Sequence, residues 1–186
     1  MGEKKTKIVL DADVINHFVR GGKLSLLPRI FPEFKYIVLD FVKKELPMLI
    51  LSELIKQISH GIDIREELFN VSGEAKKEYF RLTATNGLHL GKGESACMVY
   101  CKFHNDVVGS SNTRDITNYC NEHGITYLTT NDFLFYAIQR GLLKKEEAED
   151  FIRIVISMGS NPPIVDFDQY ICSCLLYTSP SPRDLS

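Results

Sequence analysis

Four carboxylates in this chain stand where surface charge does not normally stand. Asp11 follows the apolar run Ile8-Val9-Leu10, and Glu45 comes shortly after the strand-like stretch Tyr36-Ile37-Val38-Leu39. Glu94 opens a segment with no polar face, and Asp115 sits just beyond Gly109-Ser110-Ser111-Asn112. Most acids of a globular chain line solvated helical faces and need no chemistry to explain them. Each of these four instead falls near the C-terminal end of an expected strand or in the first turn of a helix above it, the edge at which α/β sheets bind ligands. Gathered without neutralisation, they would raise one another's pKa values and oppose folding, and a bound divalent cation resolves the conflict. An all-oxygen donor set, with no thiolate or imidazole, favours Mg²⁺ or Mn²⁺ over zinc.

The elements that must position these acids follow from the apolar pattern. Lys7-Ile8-Val9-Leu10 reads as a buried parallel strand that delivers Asp11 at its end. Asp13 is the expected cap of a helical segment over residues 14–18, Gly21-Gly22 punctuates, and a second helical stretch runs over about 24–30. Residues 36–39 form the next strand, with Asp40 as N-cap of a short helix that Pro47 ends or kinks. Residues 49–59 read helical, and so does the charged stretch 62–86, where Ser72, Ala75, Tyr79 and Leu82 mark a capped amphipathic helix on the periphery. After Gly91-Lys92-Gly93, residues 94–101 are almost uniformly small or apolar, the mark of a buried helix. Strand 107–110, helix 112–123 closed by Gly124, strand 126–129, and helices over 131–141 and 144–158 complete the pattern, with Asp132 read as an N-cap. Strands alternating with helices predict an α/β fold with a mostly parallel central sheet covered on both faces.

The bulk properties narrow the function. A chain of 186 residues with 44% hydrophobic content accommodates one domain with a sizeable core. Its net charge of -2 carries no global positive field, so any nucleic-acid contact must be local. No secretory leader pattern opens the chain and no run is long and apolar enough for a membrane span, which leads us to expect a soluble cytoplasmic protein. The five cysteines read as reduced thiols. Cys97, Cys101 and His104 share a helical face, but with no fourth zinc ligand nearby the first two read as core. The ending Cys174-Leu175-Leu176-Tyr177-Thr178-Ser179-Pro180-Ser181-Pro182-Arg183-Asp184 resembles the conceptual translation of a transposon-type sequencing-library adapter. Residues 174–186 are therefore set apart as a non-native tail, and 1–173 are read as one domain with its core over about 7–143.

Taken in order, the acidic segments resemble the PIN-domain nucleases, a family that includes the toxins of many toxin–antitoxin pairs. Ile8-Val9-Leu10-Asp11-Ala12-Asp13-Val14-Ile15-Asn16 is similar to the opening strand, Val42-Lys43-Lys44-Glu45-Leu46 to the second motif, and Gly91-Lys92-Gly93-Glu94-Ser95-Ala96 to a Gly-Glu form of the third. Val108-Gly109-Ser110-Ser111-Asn112-Thr113-Arg114-Asp115 is similar to the fourth. The resemblance implies a three-layer fold in which Asp11, Glu45, Glu94 and Asp115 are catalytic metal ligands. Asp13 would add a ligand or hold water, as would Ser110, Ser111 and Asn112, the last of which equally suits a helix cap. The implied activity is hydrolysis of RNA phosphodiester bonds with Mg²⁺ or Mn²⁺. Arg114 and Lys92, with Lys43 or Lys44, would contact flanking phosphates; ordinary surface charge is the plain alternative. An antitoxin protein and a homodimer partner are implied by family habit alone. Two rival readings stand beside this one. Asp11 and Asp13 also resemble the nucleophile motif of haloacid-dehalogenase-like phosphohydrolases, although the other acids of that family are missing at Gly109-Ser110-Ser111. A PIN module that binds RNA or protein without cutting is the other. His17 and His89 are given no role.

Overall fold

In the computed structural model, which describes residues 5–84 and 90–172, the first apolar run forms β1 (Lys7–Leu10), with Ile8, Val9 and Leu10 wholly buried. β2 (Lys35–Leu39) pairs parallel to it on one side and β4 (Val107–Gly109) on the other. β3 (Ile64–Glu67) extends the sheet beyond β2, and β5 (Tyr127–Leu128) extends it beyond β4. The order is β3-β2-β1-β4-β5, and every pairing is parallel. The chain builds outward from β1 to β3 and then crosses to the other side of β1, so the strand order reverses between β1 and β4. That reversal opens a crevice above the carboxyl ends of β1 and β4, where Asp11 and Ser110 stand.

Helices cover both faces, giving the three-layer α/β arrangement expected from the alternating pattern. On one face α1 (Ala12–Arg20) packs against α4 (Met48–Ser59) and α9 (Lys145–Ser157), while α8 (Thr130–Gln139) packs against α9 and α2 (Leu27–Ile30). Aromatic rings fill this layer: Phe18 lies edge-on to Phe133 and is tilted against Phe151, all three buried. On the other face α6 (Lys92–His104) packs against α3 (Asp40–Glu45), α5 (Gly73–Thr83) and α7 (Thr113–His123). Every residue of α6 from Gly93 to Cys101 is buried, which is why its sequence carries no polar face. Cys97 and Cys101 belong to that buried stretch, while His104 bonds the Tyr100 carbonyl and stacks on its ring.

Several local expectations change. Asp11, not Asp13, is the N-cap of α1, its Oδ1 accepting from the Ala12 N–H at 2.8 Å, and the helix starts two residues earlier than expected. Asp40 lies inside α3; its carboxylate takes the Phe69 N–H and the Lys44 ammonium, both at 2.8 Å. Asp132 is the third residue of α8, and Thr129 is the cap: Asp132 Oδ2 accepts the Thr129 N–H at 2.8 Å while the Thr129 hydroxyl accepts the Asp132 N–H. The stretch 62–86 is not helical throughout, because residues 64–67 form the edge strand β3. Only Ile64 of that strand is buried, and its charges are paired outward, Glu66 with Lys43 and Glu67 with Lys7. Charged edges of this kind block further strand pairing and erase the apolar alternation that would have betrayed a strand. His89 and the tail 174–186 lie outside the described residues. Among the described residues no helix is long and apolar enough to cross a membrane.

Candidate functional site

Two strand ends and the loops after them build the floor of the crevice. Asp11 extends the ladder by donating its N–H to the Gly109 carbonyl at 2.8 Å, and Ser110 does the same to Leu128 at 3.0 Å, so both are held in register with the sheet. Asp13, the second residue of α1, reaches across to the β4 loop: its Oδ2 accepts the Ser111 N–H at 2.7 Å and the Ser110 hydroxyl at 3.4 Å, while Oδ1 accepts the Val14 N–H. Behind it runs a second set of bonds. The Ser111 hydroxyl donates to Thr130 Oγ1 and accepts the Thr130 N–H, both at 2.8 Å, and Thr130 Oγ1 lies 2.8 Å from His17 Nδ1. The Ser111 loop is thereby tied to α1 and α8 at once.

The remaining acids hang over this floor from the helices of the opposite layer. Glu94 stands in the first turn of α6, only 6% exposed, with its Oε1 buried and without a hydrogen-bond partner. Asp115 stands in the first turn of α7, its Oδ2 accepting from the Asn112 side-chain amide at 2.9 Å. Asn112 occupies the N-cap position of α7 but makes no side-chain capping bond, its amide being directed to Asp115. Glu45, in the last turn of α3, places Oε1 2.8 Å from the Gly93 N–H, which fixes it against the start of α6. That contact explains the glycine: a Cβ at position 93 would run into the Glu45 carboxyl group and come within 3.3 Å of Val42 Cα.

These groups feel one another. Burial, and next the charge of Asp13, push the Asp11 carboxyl up from its ordinary range, with a smaller contribution from Glu45. Burial likewise raises Asp13 against the pull of the Ser111, Val14 and Ser110 donors. Glu94 is pushed up to about 8 by burial and then by the charges of Asp11, Asp115 and Asp13, with the Asn112 amide acting the other way. All four acids chosen from the sequence, and Asp13 with them, therefore share one electrostatic neighbourhood. They do not meet at one point: among the described residues no three Asp, Glu, His or Cys side chains are grouped closely enough to hold an ion between them. The geometry gives the reason, since both oxygens of Asp13 and one each of Asp11, Asp115 and Glu45 are turned toward N–H donors of their own loops and neighbours. The donor chemistry nonetheless suits a hard cation. It is all oxygen, it is mutually repelling, and its most buried free atom, Glu94 Oε1, is an acceptor with nothing to accept.

The rim is basic only in part. Lys92 and Arg114 are exposed, and among the described residues neither is recorded in an ion pair, leaving both cations available to an anion. Lys43 and Lys44 are held by Glu66 and Asp40. From the sequence Asp13 is a supporting residue, His17 has no role and Thr130 does not stand out. The structure makes Asp13 the link between the two strand ends and places Thr130 and His17 behind it. Burial, and next the charge of Arg20, lower the His17 imidazole to about 4, so it stands neutral near pH 7 as a hydrogen-bonding strut. Nothing in sequence distance could have joined residues 13, 111 and 130, which only the parallel register brings side by side. The chain matches no protein-family profile, no curated protein and no solved structure at a significant level.

Proposed function

We propose that this protein is a metal-dependent ribonuclease that hydrolyses RNA phosphodiester bonds in the crevice between β1 and β4. The observation that carries the reading is Glu94: a buried carboxylate with an unpartnered oxygen, raised by burial and then by Asp11, Asp115 and Asp13, at the switch point of a parallel sheet. Such a group is costly to charge unless a cation meets it. Asp11, Glu45, Glu94 and Asp115 would hold Mg²⁺ or Mn²⁺, joined by Asp13. When bound, the metal supplies an activated water and neutralises charge on the phosphate and the leaving oxygen. The chain's own residues do the positioning. Ser110 and Ser111 orient Asp13, Asn112 orients Asp115, and the Gly93 N–H orients Glu45. Lys92 and Arg114 attract the phosphates on either side of the scissile one.

Purified protein with a defined RNA, in Mn²⁺ and in chelator, tests the reading. Cleavage is expected in Mn²⁺ and not in chelator. Asp11→Asn and Glu94→Gln are expected to cut at least about 100-fold more slowly, the upper end of what loss of even an outer partner costs a metal site, while still binding RNA. A parent protein that binds RNA but never cleaves it would return the chain to a non-catalytic module. Hydrolysis of small phosphate esters with phosphate trapped on Asp11 would assign it to the phosphohydrolases instead. An antitoxin or a second copy as partner is carried by the resemblance only.

A further inference from the structure

Asp13 and His17 stand four residues apart on α1, so their side chains share one face of the helix. Both are tied to the Ser111 loop. Asp13 Oδ2 accepts the Ser111 N–H at 2.7 Å; His17 Nδ1 lies 2.8 Å from Thr130 Oγ1, which in turn lies 2.8 Å from the Ser111 hydroxyl oxygen. These bonds close a ring that leaves α1 at Asp13, passes through Ser111 and Thr130, and returns to α1 at His17. Counting protons gives the ring a direction. The Ser111 hydroxyl accepts the Thr130 N–H and donates to Thr130 Oγ1, so the Thr130 hydroxyl keeps its own proton for His17 Nδ1. His17 is then the neutral tautomer with its proton on Nε2. The opposite direction would leave the Ser111 hydroxyl proton with no acceptor among these groups. Burial, and next the charge of Arg20, lower the imidazole to about 4, which keeps Nδ1 an acceptor near pH 7.

Thr130 is itself held from both sides. Thr129 and Asp132 form the capping box of α8, Asp132 Oδ1 also accepts the Tyr170 hydroxyl at 2.8 Å, and the Asn131 side-chain amide donates to the Pro163 carbonyl at 3.0 Å. The ring therefore hangs from a fixed post, and Asp13 is its end in the carboxylate crevice, where its charge raises Asp11. We propose that Thr130 and His17 are positioning residues of the metal-dependent reaction: with His17 as the terminal acceptor, they hold Ser111 so that its N–H keeps Asp13 in place beside Asp11. The inference rests on the ribonuclease reading and extends it two side chains behind the acids. Partners that orient a metal ligand are worth about 10- to 100-fold in metal affinity or activity. Here the loss should come as a unit, because opening the ring at any member frees Ser111.

Two measurements test it: Mn²⁺ affinity without RNA, read from the loss of the free-ion electron paramagnetic resonance signal, and RNA cleavage kinetics. Thr130→Val and His17→Leu should each weaken Mn²⁺ binding by about tenfold or more and lower kcat at fixed Mn²⁺, with KM for RNA unchanged. The double variant should be no worse than either single one. Thr130→Ser keeps the hydroxyl, and His17→Asn sets a carboxamide oxygen where Nδ1 stood, so both should keep parental Mn²⁺ affinity. Phe151→Leu, which loosens the same helical layer without touching the ring, should keep it too although it melts lower. The ¹⁵N resonances of His17 in the parent should show Nδ1 without a proton. A proton on Nδ1, or losses that add in the double variant, would overturn the proposal. If Thr130→Val and His17→Leu bind Mn²⁺ and cut RNA as the parent does, the positioning proposal fails alone. A parent that neither binds Mn²⁺ nor cuts RNA removes the ribonuclease reading and the proposal with it.

Discussion

Replacing Glu94 by Gln in protein stripped of divalent ions should make the fold more stable at neutral and alkaline pH, the opposite of what loss of a buried polar contact usually does. Gln keeps the shape and cannot ionise. In the parent, Glu94 rises from an ordinary 4.5 to about 8 on folding, because burial and then Asp11, Asp115 and Asp13 oppose its charge. Between those two values the unfolded chain has released the proton and the folded chain still holds it, so parental stability falls as pH rises. At 1.36 kcal/mol per pH unit, the loss reaches roughly 3 kcal/mol by pH 7 and levels off near 5 kcal/mol above pH 8. Whatever the buried amide of Gln itself costs is the same at every pH, so the pH trend isolates the carboxylate. For a chain of this length about 3 kcal/mol corresponds to some 6–12 °C in Tm. The assay is a series of melts of both proteins from pH 5 to pH 9 in chelator, repeated with Mn²⁺. The difference E94Q minus parent should climb with pH in chelator, and Mn²⁺ should shrink or reverse it by stabilising the parent. A difference that stays flat over the whole range would refute the reasoning, because Glu94 would then titrate in the fold as it does in the open chain.

Gly93→Ala should cut Mn²⁺-dependent cleavage by about 10- to 100-fold, the cost of disturbing a metal ligand's support, since the added methyl group displaces Glu45 from the Gly93 N–H; RNA cleavage kinetics with a melt as control check it. Thr130→Val removes the shared partner of His17 and Ser111 at nearly constant volume and should cost about 1–3 kcal/mol in urea unfolding, leaving the Ser111 loop less firmly tied. Lys92→Ala and Arg114→Ala should each weaken RNA binding and flatten the slope of log affinity against log salt by about 0.7, the value for one phosphate of a single strand; unchanged slopes would make them ordinary surface cations.

The strands that carry the site were readable because a parallel strand covered on both faces is apolar throughout, as Ile8-Val9-Leu10 and Ile37-Val38-Leu39 are. Helix α6 was readable for the same reason. β3 was hidden because an edge strand does not need that pattern: Arg65, Glu66 and Glu67 face ion partners and solvent, and only Ile64 is buried. The acids at the ends of these strands could be named without knowing which of them would be engaged by local donors. Asp11 rather than Asp13 caps α1, a shift within one turn that composition does not decide. Thr130 and Asn131 looked like the start of a helix and nothing more, since a hydroxyl or a carboxamide acquires a role here only from what the register of β4 and β5 sets beside it.

The crevice tolerates so many carboxylates partly because of where the helices begin. Asp11 caps α1, Glu94 lies in the first turn of α6, and Asp115 lies in the first turn of α7, so three helix N-termini aim their free N–H groups and positive dipole ends toward the same edge of the sheet. Glu45 is the exception, placed in the last turn of α3 where the dipole is unfavourable, and it is the one acid that borrows an N–H from another helix, through Gly93. Those dipoles offset only part of the repulsion, because Glu94 still stands raised to about 8. The repulsion that remains is therefore built into the topology: a parallel sheet places the ends of its strands and the starts of its helices on one side. Only a cation from outside the chain, or protons taken from solvent, can balance it.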